Sequence, residues 1–168
     1  MNRIAKIVVA AFASAGLIAS AAACGGGQSA STEGAGTINV VASVNQWGTL
    51  AEELGGKNVE VTSIVHTTSV DPHDYEPTSA DISKLQKAQV IVVNGADYDA
   101  WAVKAAKSTK ATVVNAAEVG GVKKGGNPHI WFSSSVRKSV AAAVTKAYEQ
   151  ADASKKADFD KLNEQWQN

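Results

Sequence analysis

The chain has 168 residues, 45% of them hydrophobic and 19% charged, and its 16 Lys and Arg balance 16 Asp and Glu. A balance of zero leaves no basic excess for a nucleic-acid partner, and a single cysteine excludes an internal disulfide. The 132 residues from Thr37 onward suit one domain of common size.

The first residues, Met1 to Lys6, form a short basic start. An apolar run from Ile7 to about Ile18 follows, then small residues up to Cys24. This pattern predicts a secretory signal over residues 1–23, too short for a membrane span. A buried N-terminal helix is the alternative, but the polar Gly/Ser stretch that comes next would continue a core poorly. Cys24 directly follows Ala21-Ala22-Ala23, at the expected signal boundary, and is the candidate lipid-modified first residue of a bacterial lipoprotein. A lipobox more often carries Leu where Ala21 stands, and the alternative is an ordinary signal with an incidental cysteine. Residues 25–36, GGGQSASTEGAG, contain no large apolar side chain and read as a flexible tether, so that 24–36 link anchor and domain. Removal of residues 1–23 takes away Arg3 and Lys6 and leaves 14 basic against 16 acidic residues.

From Thr37 to Val44 a β-branched apolar run predicts a strand buried on both faces. Asn45-Gln46-Trp47-Gly48 interrupts it, and a short helix through Leu50 and Leu54 should stop at Gly55-Gly56. A second strand is expected over Val59 to Val65. Thr78 with Asp81 three positions later gives a capping-box start to a helix whose inner face is Ile82, Leu85 and Ala88. A third strand over Gln89 to Val93, a third helix over Asp99 to Lys107 and a short fourth strand over Thr112 to Val114 follow. Strands alternating with helices predict an α/β, Rossmann-like lobe: a four-stranded parallel sheet with helices on both faces. Ser133 to Ser135 offer N-cap oxygens to a long helix carrying Val136, Val140, Val144, Ala147 and Tyr148. Beyond Asp152 another helix begins, with Phe159, Leu162 and Trp166 as its apolar residues.

Two of the three histidines occupy the same local context. Asp71-Pro72-His73 lies within VDPHDYEP, and Asn127-Pro128-His129 precedes Ile130-Trp131-Phe132. Proline fixes its own φ and drives the preceding residue into an extended conformation, so each imidazole rides on a stiff loop. Neutral imidazole is the commonest metal-binding side chain. The two lie 56 positions apart, but each follows a strand, and loops at the carboxyl ends of parallel strands converge on one edge.

The segments DPHDYEP and NPHIW, in this order and at this separation, resemble the metal-binding class of ABC-transporter solute-binding proteins. The resemblance runs from about Thr37 to the end of the chain. It implies half of a two-lobed solute-binding protein, with residues 37–152 as the N-terminal metal-binding lobe and 153–168 as the start of a long inter-lobe helix. That helix would be cut short, leaving Phe159 and Trp166 with part of their packing surface unfilled. It also implies that His73 and His129 are metal ligands and that zinc or manganese is the transported ligand. An ABC permease is the implied partner, and the chain would sit outside the cytoplasm, anchored to the membrane. Further ligands would come from a second lobe.

His66, at the end of the second strand, is a candidate third ligand or a loop histidine bonded to backbone. Asp71, Asp74 and Glu76 are candidates to accept the free N–H of a liganding imidazole; each also fits as a turn former or a solvated acid. Trp47, Trp101 and Trp131 read as core, with Trp131 bracing the His129 loop. The expected function is thus non-enzymatic capture of a divalent transition metal for a permease. A metal-dependent hydrolase is the competing reading, but it lacks a nucleophile elbow or a His-Glu-x-x-His helix. A half-receptor without transport function is a third reading. An adhesive role, which the resemblance brings for some surface lipoproteins, has no sequence feature behind it here.

Overall fold

The computed structural model describes residues 36–123 and 125–168. The expected signal over 1–23, Cys24 and the tether up to residue 35 lie outside the described residues. In chain order the elements are β1 (Ile38–Val44), α1 (Asn45–Gly55), β2 (Val59–Val65), α2 (Ser79–Lys87), β3 (Val90–Val93), α3 (Ala100–Ala106), β4 (Thr112–Asn115), α4 (Ala116–Val119), α5 (Ser134–Ala151) and α6 (Lys156–Gln167). The four strands form one parallel sheet in the order β2-β1-β3-β4, with Val40 paired to Val61 on one side and to Val90 on the other. This is the α/β architecture expected from the sequence. Every residue of β3 is fully buried, as are Val40, Val41, Ala42 and Val44 of β1 to within 1%. Central strands covered on both faces need continuous β-branched runs, and these two supply them.

α1 and α5 cover one face of the sheet, with α6 lying over both helices, and α2 and α3 cover the other. α1 starts directly at the end of β1, so the Asn45-Gln46-Trp47-Gly48 stretch, expected to interrupt strand and helix, is the helix's first turn. The reason is packing. Trp47 points into the core with no exposed surface. Gly48 lets α1 press on β2, where a Cβ would run into Ser63 Oγ. α2 has the expected capping box: Asp81 N–H donates to Thr78 Oγ, and the Asp81 carboxylate accepts the Thr78 N–H.

The expected shortage of packing is not found at Phe159, whereas Trp166 is half-buried and lines an open cavity. α6 folds back on α1 and α5, and Phe159 is fully buried against Tyr148 with ring centroids 5.3 Å apart. Tyr148 in turn donates its hydroxyl to the Ala51 carbonyl at 2.9 Å, and the Trp166 indole N–H donates to Glu53 at 2.7 Å. Burying a Phe side chain contributes about 1.5–3 kcal/mol, enough to hold a twelve-residue helix that isolated chains of this length would barely form. Among the described residues no helix is long and apolar enough to cross a membrane.

Candidate metal centre

The strand order reverses between β1 and β3, and in open parallel sheets ligands bind outside the carboxyl ends of the strands at such a switch point. Both histidine loops come to this edge, and they are built alike. Asp71 Oδ1 accepts the backbone N–H of His73 at 3.0 Å and faces its ring Nδ1 at 2.9 Å. Asn127 Oδ1 accepts the N–H of His129 at 3.0 Å and faces its Nδ1 at 2.9 Å. An oxygen that already accepts the amide is an acceptor for the ring as well, so Nδ1 carries the proton in both imidazoles. In the neutral imidazole each Nε2 then keeps a free lone pair.

Each proline carbonyl ahead of a histidine is also tied to the scaffold. The Trp101 indole N–H donates to Pro72 O at 3.2 Å, and Asn94 Nδ2 donates to Pro128 O at 3.0 Å. Asn94 is fully buried, and its Oδ1 accepts the Trp47 indole N–H at 2.9 Å, so one amide joins α1, β3 and the His129 loop.

Tyr98 stands between the imidazoles. Its ring meets His73 edge to face at a centroid distance of 4.7 Å and His129 at 5.7 Å, with Trp131 5.1 Å away. Trp131 also packs on His129 at 5.2 Å, bracing that loop. Both histidines, Tyr98 and Asp71 line one open cavity of about 350 Å³. The loop that delivers Tyr98 holds three successive residues in the left-handed region: Gly95 (φ 74°), Ala96 (φ 50°) and Asp97 (φ 64°). Non-glycine residues there cost of order 1–3 kcal/mol each and persist only where the surroundings fix them. The buried Asp99 carboxylate does so, accepting the N–H groups of Asn94 at 2.7 Å and Gly95 at 2.8 Å. Burial raises the Asp99 pKa despite these amides. At the cavity mouth the opposite holds. Hydrogen bonds from the His73 N–H and ring hold the Asp71 carboxyl below the usual range, outweighing the opposing effect of desolvation.

Of the residues singled out from sequence, His73, His129 and Asp71 are brought together. His66 is not: its Nδ1 lies 3.1 Å from the Ile64 carbonyl, and it does not line the cavity shared by the other two. Asp74 donates its backbone N–H to Asp71 O at 3.3 Å, and among the described residues no hydrogen bond joins Glu76 to either imidazole. No group of three or more His, Cys, Asp or Glu able to hold a metal occurs among the described residues. Sequence reasoning missed Asn94, Tyr98, Asp99 and Asn127. The Asx-Pro-His repeat itself could have pointed to Asn127, since Asx at that offset is the natural acceptor for the next-but-one N–H.

A parallel α/β lobe that gathers two imidazole loops at its switch point has the architecture of a metal-receptor lobe of the ABC-transporter type. The chain belongs to the family of zinc-uptake complex component A, periplasmic (ZnuA), whose model matches residues 40–168. It is 31% identical over 106 residues to the manganese-binding lipoprotein MntA of Bacillus subtilis, covering 57% of this chain and 34% of that protein. It is 27% identical over 156 residues to the metal ABC transporter substrate-binding lipoprotein ScbA of Streptococcus cristatus, covering 83% and 50%. Among solved structures, the metal-dependent lipoprotein YcdH of Bacillus subtilis superimposes with a TM-score of 0.71 at 25% identity over 78% of this chain and 51% of that one. The chain therefore spans between 30% and 50% of the length of the curated relatives it matches. The family is one of substrate-binding proteins, and the hydrolase reading is set aside.

Proposed function

We propose that this chain captures a divalent transition metal ion, zinc or manganese, with Nε2 of His73 and Nε2 of His129, for delivery to an ABC permease. The observation that carries the reading is the pair of matched loops, each of which commits Nδ1–H to an Asx oxygen and so frees Nε2. Neutral imidazoles in that tautomer suit zinc, and manganese more weakly, as N-donor ligands. Asp71 holds the first ring and Asn127 the second, and each fixes the orientation of its ring. Zinc prefers four ligands with Zn–N near 2.0–2.1 Å, so these two nitrogens supply half of a shell. The other half comes from groups beyond the described residues. The relatives' description as lipoproteins and the Ala21-Ala22-Ala23-Cys24 boundary support anchoring through Cys24 on the extracytoplasmic side.

Isothermal titration of the protein with zinc and with manganese, beside the double variant His73→Ala, His129→Ala, tests the reading. Heat of binding in the native protein that vanishes in the variant is the expected result. Equal binding by both would remove the two histidines from the site. Lipidation is tested apart from it, by labelling cells with a fatty-acid analogue: incorporation that survives Cys24→Ser would sink the anchor assignment.

A further inference from the structure

Among the described residues Tyr98 is the one side chain in ring contact with both imidazoles, and the segment that delivers it is the most strained. Strain held in place by a buried carboxylate marks a position the fold has reason to keep. The ring is 8% exposed and packed, with Trp131 behind it. Its hydroxyl is different. Among the described residues no hydrogen bond takes up Tyr98 Oη, yet it is not one of the buried polar atoms sealed from solvent without a partner. Tyr98 also lines the cavity shared with His73, His129 and Asp71, and a second one of about 200 Å³ bounded by Thr67, Val70 and Pro72. A buried ring with an uncommitted hydroxyl, on a residue that lines the site, has two separable uses. The ring can fix the spacing of the groups it touches, and the hydroxyl can donate to an oxygen bound there.

We propose that Tyr98 is a positioning and specificity-determining residue of the metal site: its ring sets the separation of the two imidazoles, and its hydroxyl donates a hydrogen bond to an oxygen ligand of the captured ion. The inference rests on the reading that His73 and His129 hold that ion. The oxygen is a water or a carboxylate completing the shell; the donor geometry is the same for either. A hydrogen bond to such a ligand orients it and increases its negative character, as outer partners do for metal ligands in general. Its weight differs between ions. Four-coordinate zinc has two positions left after two imidazoles, whereas manganese favours six-coordinate, oxygen-rich shells and has four. Tyr98 therefore favours manganese relative to zinc, on a site whose two nitrogens alone favour zinc.

Two variants separate ring from hydroxyl. Tyr98→Phe keeps the wedge and removes the donor; Tyr98→Ala removes both. Zinc and manganese dissociation constants are measured by titration calorimetry, and the imidazole proton resonances of the metal-free protein by NMR. In Tyr98→Phe, manganese binding weakens by about threefold to tenfold, the loss of one hydrogen bond. Zinc binding changes by less than about twofold, and the resonances of His73 and His129 stay in place. In Tyr98→Ala, both ions bind more weakly and both sets of imidazole resonances shift together as the ring current between them is lost. Equal effects on the two ions in Tyr98→Phe would overturn the specificity role, and unmoved imidazole resonances in Tyr98→Ala would overturn the positioning role. Because Tyr98→Phe preserves every ring contact, it keeps the test decisive should the Ala variant fail to fold. If the double histidine variant bound both ions as well as the native protein, the half-site reading would fall and the Tyr98 assignment with it. Histidine-dependent binding with a Tyr98→Phe variant indistinguishable from native would refute the hydroxyl's role alone.

Discussion

Replacing Asn94 by Ala probes the joint on which the His129 loop hangs. Three hydrogen bonds are lost: the Trp47 indole to Oδ1 at 2.9 Å, and Nδ2 to Pro128 O at 3.0 Å and to Gly95 O at 3.1 Å. They do not weigh equally. Trp47 is completely buried, so its N–H is stranded without solvent, at about 1–3 kcal/mol. The two carbonyls keep other donors, Ile130 N–H at 2.8 Å for Pro128 and Tyr98 N–H at 3.0 Å for Gly95. Their loss is the net value of an ordinary hydrogen bond, about 0.5–1 kcal/mol each. The total is about 2–5 kcal/mol, which for a domain of this size lowers Tm by roughly 10 °C. Asn94→Asp should do worse. It retains the acceptor for Trp47 but turns a carboxylate oxygen toward two carbonyls in a buried site. Thermal unfolding followed by circular dichroism measures the effect, and zinc titration should show roughly tenfold weaker binding as the loop loosens. A melting temperature within about 2 °C of the native value in Asn94→Ala would refute the argument, because a stranded buried N–H cannot be that cheap.

Asp71→Ala removes the acceptor for both the N–H and the ring of His73, and zinc binding should weaken by about tenfold, the lower end of such effects for so exposed a carboxylate; an unchanged isotherm would count against the tautomer argument. For Asp81, burial would raise the pKa, but hydrogen bonds from the Thr78 hydroxyl, the Tyr75 hydroxyl, the Thr78 amide and Lys84 outweigh it and bring the value down to about 2. The folded value lies below the ordinary 3.8, so the stability that the ionised group provides is complete above about pH 4 and is lost as pH falls through about 2. The stability gap between native protein and Asp81→Asn, read by urea titration across pH, should close over that interval, and a gap independent of pH would contradict it. Phe159→Ala should cost about 3–5 kcal/mol, measured by denaturant unfolding; less than about 1 kcal/mol would mean that α6 is not seated on the core. Zinc at about a hundred times its dissociation constant should stabilise the fold by about 2.7 kcal/mol, reversibly on adding a chelator and not at all in the double histidine variant.

The central sheet was legible because β-branched runs such as Val90–Val93 have few other uses, and α2 because Thr78 and Asp81 declare their cap. α1's first turn was not. Asn45-Gln46-Trp47-Gly48 has the composition of a loop, and only the three-dimensional fit of Trp47 beside Asn94 and of Gly48 against Ser63 makes it helical. The seating of α6 was misjudged because Phe159 finds Tyr148 on a neighbouring helix that a one-dimensional apolar pattern does not identify. At the site, the histidines stood out through their prolines. The loop between them did not, since Asn94-Gly95 signals a turn but says nothing of three consecutive left-handed residues or of the carboxylate that holds them. Tyr98 had no local signature, and its role arises from tertiary placement alone.

The anchors of the two histidine loops are all bonds between protein groups: Asx oxygens, an indole, a buried amide and a buried carboxylate. Nothing in that set waits for a cation to form. In domains whose shape depends on their metal, releasing the ion means unfolding the chain; under the proposed function, loading and unloading here would be separate from folding. Ion exchange would then not be tied to the rate of refolding, because the bonds that set the two loops are made within the protein.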